Sequence, residues 1–85
     1  MLNYTWERLN NMEKTLYSAE NGKIYKVLRV PKIELLSSIG IFKNVTIKKE
    51  NSYRLGGPVS ISLNTRKIAI GKEIASKILV EEVEA

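Results

Sequence analysis

The chain has 85 residues, 44% of them hydrophobic, with ten Ile, nine Leu and six Val, which suffices for one small folded domain and not for two. Cys, His, Asp and Gln are absent, which excludes disulfides, thiol or Ser/His/Asp nucleophiles, zinc-finger spacings and His/carboxylate metal clusters within the chain. The net charge of +5 is uneven: residues 1–22 carry −1, residues 23–80 carry +9, and the end with Glu81, Glu82 and Glu84 carries −3, so the middle attracts anionic partners without choosing among them.

These counts set the first functional expectations. The chain is not read as an enzyme, and no catalytic residue, cofactor or metal ligand is assigned. Glu is the one acidic side chain present, and the Glu81, Glu82, Glu84 cluster reads as a solvated end, because transition metals favour imidazole, thiolate or clustered carboxylate. The opening stretch MLNYTWERLNNMEK lacks the apolar core of a signal peptide, and no run approaches the ~20 apolar residues of a membrane span. A cytoplasmic location without membrane insertion is expected.

Residues 1–14 read as an N-terminal extension and 15–85 as the domain. In the extension, Thr5 can cap a short helix that carries Trp6, Leu9, Met12 and Leu16 at three- and four-residue spacing. So short a helix is marginal alone and must dock or fray. Ala19 to Gly22 read as a turn, and Lys23 to Val30 as a strand with apolar residues on both parities, ending at Pro31. Pro31 suits the entry of a short helix with Ile33, Leu36 and Ile39 at three-residue spacing, closed by Gly40.

Val45 and Ile47 alternate with Thr46 and Lys48 in a half-buried strand that leads to a turn at Asn51-Ser52. Val59, Ile61 and Leu63 give the cleanest period-two signal, Asn64-Thr65-Arg66 turn the chain, and Ile68 and Ile70 begin again after it. After Gly71, Lys72 to Lys77 make one helical turn with Glu73 and Lys77 placed to pair, and Ile78 and Val80 open a last strand. Short connections throughout favour an all-β fold: a small, SH3-like antiparallel barrel of about five strands with one or two short helices and the N-terminal helical extension.

Three stretches, TLYSAENGKIYKVLRV, ELLSSIGIFKNVTI and LGGPVSISLNTRKIAIGKEIASKILV, together resemble the FeoA family of small partner proteins in bacterial ferrous iron transport. The matching positions run from Leu16 to Val80: Gly22, the Leu-x-x-Ile-Gly of Leu36 to Gly40, Gly57-Pro58-Val59, Ile68-Ala69, and Ala75 followed by Ile78 and Val80. The family fold is an SH3-like barrel, in agreement with the strand count. Lys43-Asn44 stands where relatives usually carry Pro-Gly, and Asn is the next best residue for a positive backbone angle. Glu34 stands where a basic residue is common, and the first fourteen residues have no clear counterpart.

The resemblance implies a non-enzymatic accessory protein that binds and regulates the cytoplasmic GTPase-bearing domain of a membrane ferrous iron permease. The residues expected to meet that partner are Ile41, Phe42 and Lys43 together with Tyr53, Arg54 and Leu55, bulky apolar and basic residues placed in loops. The plain alternative for Phe42 and Leu55 is that they plug the barrel ends. Weak self-association is compatible with this reading. A module related to the C-terminal domain of metal-dependent repressors, binding nucleic acid or another protein, is the alternative; nucleic acid is the less favoured partner, because Lys23 and Arg29 share strand parity and Lys26 does not.

Overall fold

A computed structural model describes residues 13–53 and 55–83. The elements in chain order are β1 (Glu13–Thr15), β2 (Ile24–Arg29), α1 (Glu34–Ser38), β3 (Thr46–Ser52), β4 (Val59–Leu63), β5 (Arg66–Ile70), α2 (Lys72–Ala75) and β6 (Leu79–Glu82). All pairings are antiparallel, in the order β1-β6-β2-β3-β4-β5. The expected five-stranded barrel is corrected twice. The sheet has six strands, and it is not closed, since β1 and β5 are its two edges among the described residues.

The extra strand is β1, which pairs with β6 in the register Glu13↔Glu81, Lys14↔Val80, Thr15↔Leu79. Extended backbone at these residues corrects the expected helix running through to Leu16, whose own side chain is buried in the core; the rest of that helix lies outside the described residues. Nothing in Glu-Lys-Thr alternates, so the strand owes its conformation to the partner edge of β6.

Two irregularities curl the sheet around one core. The register of β2 against β6 slips between Val27 and Arg29, and that of β3 against β4 slips between Lys49 and Asn51. A bulge bends its strand and sharpens the local twist. The first slip accounts for the mixed parity of β2: Tyr25 and Val27 are fully buried, and the bulge shifts the phase at Leu28. The core is completed by Ile47, Val59, Ile61, Ile78 and Val80.

The β4–β5 hairpin has the expected alternation, with Val59, Ile61 and Leu63 inward and Asn64 at φ +58 in a two-residue loop. Arg66 already belongs to β5, and β3 continues through Asn51 and Ser52, so the expected turn there lies further on, after Ser52. The helical turn after Gly71 is formed, with Ala75 fully buried, but Glu73 and Lys77 make no ion pair among the described residues.

Candidate functional site

The segment joining β2 to β3 is fixed by two consecutive turns. At the end of α1, Gly40 takes φ +94, its N–H donates to the Ser37 carbonyl at 3.1 Å, and the Ile41 N–H donates to the Leu36 carbonyl at 2.8 Å. This pair of bonds is the Schellman closure, which brings the residue after the glycine onto the third residue from the helix end. Ile41 and Leu36 therefore both belong to the core, with Ile41 fully buried. The chain then turns through Phe42-Lys43-Asn44-Val45, where the Val45 N–H donates to the Phe42 carbonyl at 3.2 Å and Asn44 takes φ +77. A positive angle at the third turn position is what a type II turn requires, so Asn44 fills the role expected from its sequence.

Between these turns and the β2–α1 connection lies an open hollow of about 340 Å³, walled by Val30, Pro31, Ile33, Leu36, Ile41 and Phe42. Lys32, Glu34 and Ser37 supply its polar lining. Phe42 is 51% exposed and Leu35, on the outer side of α1, is 62% exposed. Arg29, Lys32 and Lys43 are exposed cations of the same segment, and none enters an ion pair among the described residues. The chemistry on offer is an apolar contact edged by positive charge.

The six expected contact residues do not form one face. Ile41 is removed from the set, because the helix closure turns it into the core. Phe42 and Lys43 precede β3, whereas Tyr53 and Leu55 follow it, and a seven-residue strand spans roughly 20 Å. Tyr53 is 58% exposed, Leu55 is wholly exposed at φ +61, and Arg54 lies outside the described residues. Neither Phe42 nor Leu55 plugs the sheet. A leucine held in the left-handed region without burial is uncommon, and such residues gather at functional positions.

One functional-looking side chain escaped the sequence reading. Lys49 is 1% exposed; its ammonium donates to the carbonyl of Tyr17 at 2.9 Å and to that of Ala19, and no carboxylate among the described residues forms an ion pair with it. Burial pushes its pKa down. The period-two pattern carried the signal, because Lys49 has the parity of the buried Ile47. Nearby, a hydroxyl bond from Ser62 at 2.5 Å holds the Glu50 carboxyl below its ordinary value. The two ion pairs among the described residues belong to Lys23, 3.3 Å from Glu20 and 3.4 Å from Glu82, and Glu20 is the main cause of its raised pKa.

No group of three His, Cys, Asp or Glu among the described residues could hold a metal ion, and no helix there is long and apolar enough to cross a membrane. The FeoA domain family matches residues 14–82. The chain belongs to the FeoA family. This FeoA-family chain is similar to the crystal structure of an iron uptake regulatory protein (FeoA), with 27% identity and a TM-score of 0.76, covering 85% of this chain and 99% of that one. It is also similar to a FeoA-like protein from Clostridium acetobutylicum, with 23% identity and a TM-score of 0.72, covering 87% of this chain and 91% of that one. A manganese-dependent transcriptional repressor shares the fold at 18% identity and a TM-score of 0.75, and there the likeness covers 84% of this chain but 42% of the repressor. No curated protein sequence matches the chain significantly. The family is associated with ferrous iron transport, and its SH3-like fold is the one described above.

Proposed function

We propose that this FeoA-family protein is a non-enzymatic accessory protein of bacterial ferrous iron transport, one that binds and regulates the cytoplasmic GTPase-bearing region of a membrane iron permease. The observation that carries the reading is Phe42, half exposed beside an open apolar hollow on a domain whose match to the family spans residues 14–82. A large aromatic held at the mouth of a concave surface is a common anchor in protein recognition, and the exposed cations of the same segment, Lys32 and Lys43, steer an acidic partner. Isothermal titration of the purified GTPase region of the permease into the full chain tests it. Saturable binding that Phe42→Ser weakens, with the melt unchanged, supports the proposal; absence of binding at high micromolar concentration overturns it.

The second reading rests on the fold shared with the repressor, and it makes nucleic acid the partner. Phosphate contacts made by Lys and Arg would give affinity that falls steeply with salt. The burial of Lys49 supports the first reading over this one, because it removes one cation from the Lys48-Lys49 pair. Fluorescence anisotropy with a DNA duplex at two salt concentrations separates the two.

A further inference from the structure

Away from the hollow, the sheet ends at β5, which pairs with β4 alone among the described residues. The hairpin closes with Leu63 facing Arg66, and that register gives every second residue of β5 to the β4 ladder, namely Arg66, Ile68 and Ile70. The N–H and C=O of Lys67 and Ala69 therefore point out from the edge, at positions about 7 Å apart along the strand. No backbone group among the described residues receives them.

The side chains along this edge differ in kind on the two faces. On the core side Ile68 is partly buried and packs against the core. Lys67 and Ala69 stand exposed on the outer face, with Lys67 opposite Ser62, whose hydroxyl is held by Glu50. From Asn64 to Lys72 the chain carries three cations, Arg66, Lys67 and Lys72, and no acid. Arg66 uses one donor on the Ile39 carbonyl, and neither Arg66 nor Lys67 enters an ion pair among the described residues.

Charged side chains, lysine above all, keep an open edge from pairing with a like strand. A second copy is thereby disfavoured, because two β5 edges side by side would bring together two copies of Arg66 and Lys67 with no acid in either strand. The other edge, β1, has three residues and carries Glu13 beside Lys14, so it offers neither the length nor the charge of β5.

We propose that β5 is a strand-addition site for an extended acidic segment of a partner protein. The segment pairs with the free backbone groups of Lys67 and Ala69, places a carboxylate opposite Lys67 and covers Ile68 with an apolar side chain. Main-chain bonds supply affinity in this mode of recognition, and alternate side chains supply specificity. Successive side chains of a strand point to opposite faces, so the recognised segment alternates acidic and apolar residues. The edge is separate from the hollow at Phe42, and the proposal does not rest on the partner assigned to that hollow.

A short synthetic peptide of alternating Glu and Val, with a Lys and Val peptide as its counterpart, tests this on the full chain by amide hydrogen exchange. In the free protein the Lys67 and Ala69 amides are expected to exchange quickly and that of Ile68 slowly. The Glu-Val peptide should slow Lys67 and Ala69 selectively and shift their resonances, and the Lys-Val peptide should do neither. Lys67→Glu should abolish the response to the Glu-Val peptide, while Phe42→Ser leaves it unchanged. Ala69→Pro should also abolish it, since proline there removes an outward N–H without touching the β4 ladder. Should Ala69→Pro fail to fold, Lys67→Glu decides. No slowing at millimolar Glu-Val peptide overturns the proposal, as does an equal response to both peptides or slowing of the β1 amides in place of Lys67 and Ala69. Protection of these two amides in the free chain also overturns it: persisting on dilution, it assigns the edge to a segment of the same chain, and fading on dilution, to a second copy.

Discussion

Lys49 Nζ and the carbonyl of Tyr17 meet at 2.9 Å across 32 residues of sequence, and the same ammonium also reaches the carbonyl of Ala19. The bonds pin the loop between β1 and β2 to the inner side of β3. Two further backbone bonds, from Gly22 N–H to the Lys49 carbonyl at 2.6 Å and from Lys49 N–H to the Lys23 carbonyl at 3.0 Å, close the same junction. Lys49→Met keeps the volume but leaves two acceptors without a partner, each worth about 1–3 kcal/mol when buried, offset in part by relief from burying an ammonium. A net loss of about 1–3 kcal/mol in urea unfolding is expected.

The same pair of proteins carries a pH dependence with a definite sign. Burial lowers the folded pKa of Lys49 below its ordinary 10.5, so between the two values the unfolded chain binds more protons and stability rises with pH. The contribution is complete above 10.5 and is lost as pH falls through the folded pKa. Tyr25 and Lys23, both raised, act in the opposite direction at alkaline pH and are common to both proteins. The stability of the wild type minus that of Lys49→Met should therefore climb as pH rises toward 10.5; a flat difference would show that Lys49 is not buried as described.

Gly40 closes α1 at an angle that side chains avoid, and the space beside it is already taken. A Cβ there would stand 2.9 Å from Leu63 Cδ2 and 3.0 Å from Arg66 Nη2, the guanidinium that donates to the Ile39 carbonyl at 2.8 Å. Gly40→Ala should cost about 1–3 kcal/mol through backbone strain and displacement of both neighbours. Gly71 has nothing within 4 Å and φ −60, so Gly71→Ala should cost less than about 1 kcal/mol, a contrast that thermal melts of the two variants resolve.

Ala75 is fully buried where α2 meets the loop after β1, and its carbonyl accepts the Tyr17 N–H at 3.3 Å. Ala75→Glu would force a larger, charged side chain into a fully buried position of the apolar core, at a cost of several kcal/mol. Loss of a cooperative melt is expected. An unchanged transition would mean that α2 does not pack as found.

The sequence made some of this legible and hid the rest for identifiable reasons. Val59, Ile61 and Leu63 announce their strand because one face is buried and the other is not, and Pro31 and Gly40 bracket α1 by their backbone chemistry alone. In sequence, a bulky residue after a glycine such as Ile41 looks like a loop tip, whereas the Schellman closure folds it back onto Leu36. Lys49 is hidden from a composition-based reading because lysine ordinarily sits in solvent, although its parity with Ile47 points inward. Glu13 to Thr15 carry no strand pattern at all; only the free edge of β6 makes them one.

The separation of Phe42 from Leu55 by the length of β3 gives the proposed partner contact its sharpest test. Substitutions at sites more than 7–10 Å apart, with no shared neighbours, add to within about 0.5 kcal/mol, so the two ends of β3 can be weighed independently. The hollow and its lining cation Lys32 lie at the Phe42 end, while Leu55 projects fully exposed from the loop after β3. Phe42→Ser should therefore weaken binding of the permease GTPase region by about tenfold or more, as expected for loss of an aromatic anchor, with Leu55→Ser near neutral and the double variant equal to Phe42→Ser. Titration calorimetry of the four proteins reads this directly. Equal and additive losses at both residues would show a partner that grips the whole length of β3, and a loss confined to Leu55→Ser would move the contact to the opposite end of the strand.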